Sequence, residues 1–102
     1  MARARTELQT IFETLLGSRN VYFQPPESVK LKYPCIVYER SGSRNYHADN
    51  DKYLKYKQYT VTYIDVNPDS DMPDKIEELK HCTFNRWFGN ENLNHWSFTL
   101  YF

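Results

Sequence analysis

His47, Asp49 and Asp51 stand at alternate positions and are the chain's nearest approach to a metal or acid-base cluster. A turn-rich segment could gather such nitrogen and oxygen ligands, yet no fourth ligand and no calcium-loop spacing accompanies them. A solvated turn is the reading adopted. His81 beside Cys82 suggests a Cys-His nucleophilic pair, but neighbouring residues in a strand point to opposite faces, the wrong geometry for proton transfer. His81 is read instead as the polar exit of a helix, where it would favour the terminal carbonyls. The serines lack a nucleophile-elbow context, His95 opens the last strand without a carboxylate partner, and three glycines leave little material for a phosphate loop. These residues predict no enzyme, no catalytic residue, no metal and no cofactor.

The stretch from Arg40 to Lys57 is richer. Arg40, Arg44, Lys52, Lys55 and Lys57 are interleaved with Tyr46, Tyr53 and Tyr56. That pattern could grip a single nucleic-acid strand through phosphate contacts and base stacking. Asp49 and Asp51 interrupt the positive field, and mixed signs suit a protein contact better, since opposed charges set register while Tyr rings contribute buried area. Arg44, Tyr46, Lys52, Tyr53, Lys55 and Tyr56 are therefore the candidate protein-contact residues, with an ordinary mobile hairpin as the plain alternative.

Local patterns supply the elements that would carry this loop. From Arg3 to Leu16, Leu8, Ile11, Phe12 and Leu15 recur at helical spacing, and Gly17 and Ser18 end the run. Val21 to Phe23 reads as a short strand closed by Pro25 and Pro26. Pro34 introduces a strand at Cys35 to Glu39, and Ser41 to Asp51 reads as a turn-rich excursion from which a long hairpin could rise. Tyr59 to Val66 is read as a central strand. Asp71 is placed to cap a short second helix with Pro73 in its first turn and Met72, Ile76 and Leu79 as its apolar stripe. Cys82 to Phe88 is extended, Gly89 to Asn92 is a turn, and Trp96, Phe98, Leu100 and Phe102 alternate with polar residues in a last strand. This order predicts an α+β fold: a mainly antiparallel sheet flanked by two helices, with a protruding hairpin or loop.

At 102 residues the chain is read as a single domain, 1–102. Aromatic residues make up 17%, more than a core of this size needs, so some are expected at the surface, where Tyr and Trp suit interfaces. The chain has no net charge overall, but residues 1 to 60 carry ten Lys or Arg against six Asp or Glu, and residues 61 to 102 carry three against seven. In a head-to-tail ring such a division gives complementarity without total charge, provided the fold does not interleave the halves. Zero total charge disfavours a dedicated nucleic-acid binder. Cys35 and Cys82 lack paired-cysteine spacing and are read as reduced residues of a core or interface. No window approaches the roughly 18 apolar residues of a membrane span, so no membrane partner is expected.

Three runs carry a resemblance: VYFQPPESVKLKYPCIVYER (Val21 to Arg40), YKQYTVTYIDVNPDSDMPDKIEELKHCTFNRWF (Tyr56 to Phe88) and NLNHWSFTLYF (Asn92 to Phe102). Together they resemble the small tail-completion or tail-terminator proteins of long-tailed bacteriophages. The resemblance implies a sheet flanked by helices and a structural protein of the virion, assembled in the host cytoplasm and sited at the tail-neck junction. It implies self-association into a hexameric ring at the head-proximal end of the tail tube, which ends tube growth and offers a surface to the neck or connector protein. DNA would pass through the ring without specific recognition. A head-completion or stopper protein of the neck, and a small single-stranded nucleic-acid-binding protein, are the competing expectations.

Overall fold

The structure, a computed structural model, describes the backbone of residues 4–47 and 53–102 and the side chains of residues 4–43 and 56–102. The elements are α1 (Arg5–Leu16), β1 (Val21–Phe23), β2 (Cys35–His47), β3 (Tyr53–Asp65), α2 (Met72–Glu77), β4 (Cys82–Asn90) and β5 (Leu93–Tyr101). The strands form one sheet in the order β1-β2-β3-β5-β4. β1 runs parallel to β2, and the other pairings are antiparallel. The fold is thus a small α+β domain with two helices flanking a mostly antiparallel sheet, as the element order predicts.

Register explains which residues become core. Ile36, Tyr63 and Trp96 lie side by side across β2, β3 and β5, and Tyr38, Val61 and Phe98 form the next row. All six are buried, together with Leu8 and Phe12 of α1 and Met72 and Ile76 of α2. Each helix presents one apolar stripe and the sheet one apolar face, so burying them against each other is the favourable solution. Gly17 ends α1 in the left-handed region at φ 78°, with its N–H donating to the Glu13 carbonyl. Glycine takes that conformation without a Cβ penalty.

The buried hydroxyls of Tyr38 and Tyr63 are both paired, whereas His95 Nδ1 is buried without a hydrogen-bond partner. The Tyr38 hydroxyl donates to Gln9 Oε1 at 2.6 Å and accepts from Arg5 at 3.1 Å, and Gln9 donates onward to the Val21 carbonyl. The Tyr63 hydroxyl donates to Asp65 at 2.6 Å, and the other carboxylate oxygen of Asp65 accepts from the Asn67 N–H. A buried carboxylate held this way fixes the loop that follows β3.

Four local expectations need correction. Ser41 to His47 is not a turn-rich excursion but the continuation of β2, because each residue from Gly42 to His47 has a cross-strand partner in β3 between Tyr53 and Gln58. Ladder pairing overrides the poor strand propensity of Gly, Ser and Asn. Asp71 precedes α2 but makes no capping hydrogen bond. Its backbone is helical, not extended as a cap requires, so its carboxylate meets Lys75 while Ser70 Oγ accepts the Met72 N–H. The last turn is tighter than expected: β4 runs to Asn90, and Glu91 and Asn92, both with positive φ, form a two-residue hairpin loop. His81 follows the end of α2 by several residues at φ 62°, its carbonyl accepting the Tyr101 N–H, so it does not cap the helix.

Candidate functional site

The β2–β3 hairpin leaves the sheet as a ribbon. β5 pairs with β3 only from Gln58 to Asp65, and β1 pairs with β2 only from Ile36 to Tyr38. Among the described residues, Ser43–His47 and Tyr53–Lys57 therefore have their ladder partners in each other, and the Lys57 carbonyl also accepts the N–H of Phe102 just past β5. Five residues at about 3.3 Å each carry the ribbon roughly 17 Å past the sheet. The molecule measures 52 × 25 × 23 Å. A bulge between Arg40 and Gly42 marks the departure, braced by Arg40, which donates to the Gly42 carbonyl and to Ser43 Oγ at 2.7 Å each. Bulges increase local twist and re-aim the strand beyond them.

Five of the six sequence-predicted contact residues, Arg44, Tyr46, Tyr53, Lys55 and Tyr56, fall on this one ribbon, at register positions on both of its sides. Arg44 stands opposite Tyr56 and Tyr46 opposite Leu54, alternating with Asn45 opposite Lys55 and His47 opposite Tyr53. Positions 44, 46 and 56 thus share one side and positions 53 and 55 the other. Lys52 lies outside the described residues, as do Asp49 and Asp51. Tyr56 lies at the ribbon's base, its ring 5.3 Å from that of His81, beside a cavity of about 370 Å³ bounded by Leu8, Ile11, Leu79 and Phe102. Tyr56 thus has an intramolecular packing role.

The cysteines are free. Burial, with a smaller contribution from Asp65, pushes the Cys35 thiol up to about 12, and burial with Glu77 pushes Cys82 up to about 11. Both thiols remain protonated at neutral pH, the opposite of an activated nucleophile. Among the described residues no group of three or more His, Cys, Asp or Glu is placed to hold a metal, and no helix is long and apolar enough to cross a membrane.

At the opposite pole the sheet offers a second surface. β3 ends there at Asp65, paired with Asn94, and the β4–β5 turn closes beside it. The loop after Asp65 and that turn form the walls of a shallow groove of about 480 Å³, lined by Val66, Pro68, Trp87, Gly89 and Leu93. Asn94 ties the walls together by donating to the Asp65 and Val66 carbonyls. Val66 is 62% exposed and Trp87 53%, with Phe84 40% exposed further along the β4 edge. By register Phe84 and Trp87 stand beside Phe98 and Trp96, on the same side of the sheet as the buried core, past the cover of the helices.

Sequence reasoning placed Trp87 and Val66 in strands but did not single them out. The available signal was weak: Phe84 and Trp87 are three apart, a spacing that shares one strand face only across a bulge, and the register does shift between Phe84 and Arg86.

Charge is unevenly divided along the chain. Residues 65–78 hold Asp65, Asp69, Asp71, Asp74, Glu77 and Glu78 against Lys75 alone, and the ribbon strands carry Arg44, Lys55 and Lys57. β4 and β5 carry Arg86 and no carboxylate, so the acidic residues of the second half lie mainly in the loop after β3 and in and around α2, which packs against α1. Comparison with protein-family models, curated proteins and solved structures yields no match to this chain.

Proposed function

We propose that the chain acts by assembly and not by catalysis, as the subunit of a ring, six copies in the family it resembles, at the head-proximal end of a long bacteriophage tail. The ring ends growth of the tail tube and presents a surface to the neck. The ribbon is the observation that carries this reading. A two-stranded hairpin is marginally stable by itself in water, and one reaching roughly 17 Å past its sheet gains most from packing on a neighbour. The resemblance of the three runs from Val21 to Phe102, and the match between their element order and the fold, support the tail assignment.

Electron microscopy of particles made with and without the gene tests it. Overlong tails, or tubes without an upper cap, are the expected result. Normal capped tails that fail to join complete heads would reject the terminator and favour a head-completion or stopper protein of the neck.

One observation favours a second reading, a small single-stranded nucleic-acid-binding protein: Arg44, Lys55 and Lys57 share the ribbon with three Tyr. Steeply salt-dependent binding of short labelled oligonucleotides supports it, and no binding at low salt dismisses it.

A further inference from the structure

The two outermost strands of the sheet are finished differently. β1 is three residues long and is soon followed by Pro25 and Pro26, which lack the N–H that a further strand would need. β4 runs nine residues from Cys82 to Asn90 without a proline, has Arg86 as its single charged side chain, and leaves Phe84 and Trp87 exposed. Among the described residues, no backbone hydrogen bond reaches β4 past Cys82 from outside its ladder with β5. A long, nearly uncharged aromatic edge is a template for another strand. We propose that β4 pairs antiparallel with the β4 of a second copy, Trp87 opposite the partner's Gly89, about a two-fold axis at Phe88.

Backbone direction selects this register. Glu91 and Asn92, at φ 50° and 66°, make a two-residue loop of the type whose flanking pair, here Asn90 and Leu93, exchanges hydrogen bonds. Ladder pairs alternate from there, so Phe88 bonds to β5 while Trp87 and Gly89 turn their N–H and C=O outward. The bulge between Phe84 and Arg86 breaks the alternation and confines a regular outer ladder to residues 86–90. Setting Trp87 opposite Gly89, and by symmetry Gly89 opposite Trp87, engages both outward-facing residues of each copy. Trp87 opposite Trp87 would instead set Gly89 against Asn85 in the bulge.

Side chains agree with the backbone. Trp87 meets a glycine across the strand, so its ring clashes with no side chain there, and an aromatic residue covers an edge glycine well. Its ring already leans toward its own Gly89, 3.8 Å from where a Cβ would stand, so the two indoles of a pair lie alongside each other at the Val66–Trp87 groove. On the other face Phe88 meets the partner's Phe88 in the closer, non-hydrogen-bonded kind of pair. Arg86 falls opposite Asn90, so no like charges are opposed. The contact joins identical surfaces and closes at two copies. It is therefore distinct from the head-to-tail contact of a ring, goes beyond that reading and does not depend on it.

Sedimentation of the full-length chain tests it. The wild type should dimerise with a Kd of about 100 μM or tighter. Trp87→Lys, which places a cation on the edge, should weaken association about 30-fold or more. Phe84→Lys, on the same strand but before the bulge, should change it by less than about threefold. Cysteines read the register: under oxidised glutathione, Phe88→Cys should give a disulfide-linked dimer, whereas Asn90→Cys and the wild type, with Cys35 and Cys82, should not. Circular dichroism establishes folding, and the cysteine pair carries the test should Trp87→Lys fail to fold. A wild type monomeric to about 1 mM overturns the proposal, as does association undiminished in Trp87→Lys. Equal loss in Phe84→Lys and Trp87→Lys, or cross-linking of Asn90→Cys in preference to Phe88→Cys, overturns the register.

Discussion

Tyr38 and Trp87 are both aromatic, both in strands and both directed to the core side of one sheet, yet their circumstances are opposite. Tyr38 has no exposed surface, its ring packs edge-on against Phe12, and its hydroxyl is paired at both roles. Trp87 keeps about half of its surface in water. The difference lies in cover: α1 packs against β1, β2 and α2, and α2 meets β4, but Trp87 further along β4 is left half exposed. A side chain's role here is decided less by its type than by whether an amphipathic helix lies above it.

Phe12→Ala and Phe98→Ala probe the covered region most severely and should each cost about 3–5 kcal/mol of stability in urea denaturation. Losses below about 1 kcal/mol would break the distinction between covered and uncovered aromatics. Alkaline titration comes next. A thiol whose folded pKa is raised favours the protonated native state, so its contribution is full below the ordinary value of 9.0 and is lost as pH rises through about 12 for Cys35. The same sign holds for Cys82 up to about 11 and for Tyr38 and Tyr63, raised chiefly by burial. The denaturation midpoint should therefore fall from pH 9 upward, and Cys35→Ala should flatten the slope; an identical slope would remove Cys35 as a contributor.

Smaller effects sharpen the comparison. Tyr38→Phe leaves Gln9 and Arg5 without their shared hydroxyl and should cost about 0.5–1.5 kcal/mol with the fold retained. Trp87→Ala should change monomer stability by no more than about 0.5 kcal/mol, measured at concentrations where the chain is monomeric. A loss as large as that from Phe12→Ala would mean Trp87 belongs to the core.

Much of the covered region was legible. Leu8 and Phe12 at helical spacing, and Trp96, Phe98, Leu100 and Phe102 at strand spacing, announce their burial because periodicity is a local property of the backbone. The ribbon was half legible. Its Tyr and basic residues stood out, but Gly42, Ser43 and Asn45 concealed the strand that carries them, since pairing with Gln58, Lys57 and Lys55 is a long-range event. The groove was not legible, because Val66 and Leu93 are far apart in sequence and meet only through the pairing of Asp65 with Asn94.

By itself, then, the sequence determined the succession of helix and strand and the face each apolar residue takes, since both follow from repeats of 3.6 and 2 residues along a short segment. Tertiary structure alone decided that β5 ends opposite Gln58, so that the ribbon runs on past the sheet, and that the loop after Asp65 meets the β4–β5 turn at the far pole. Strand order and register depend on hydrogen bonds between distant segments, and no local pattern encodes where one strand stops against another.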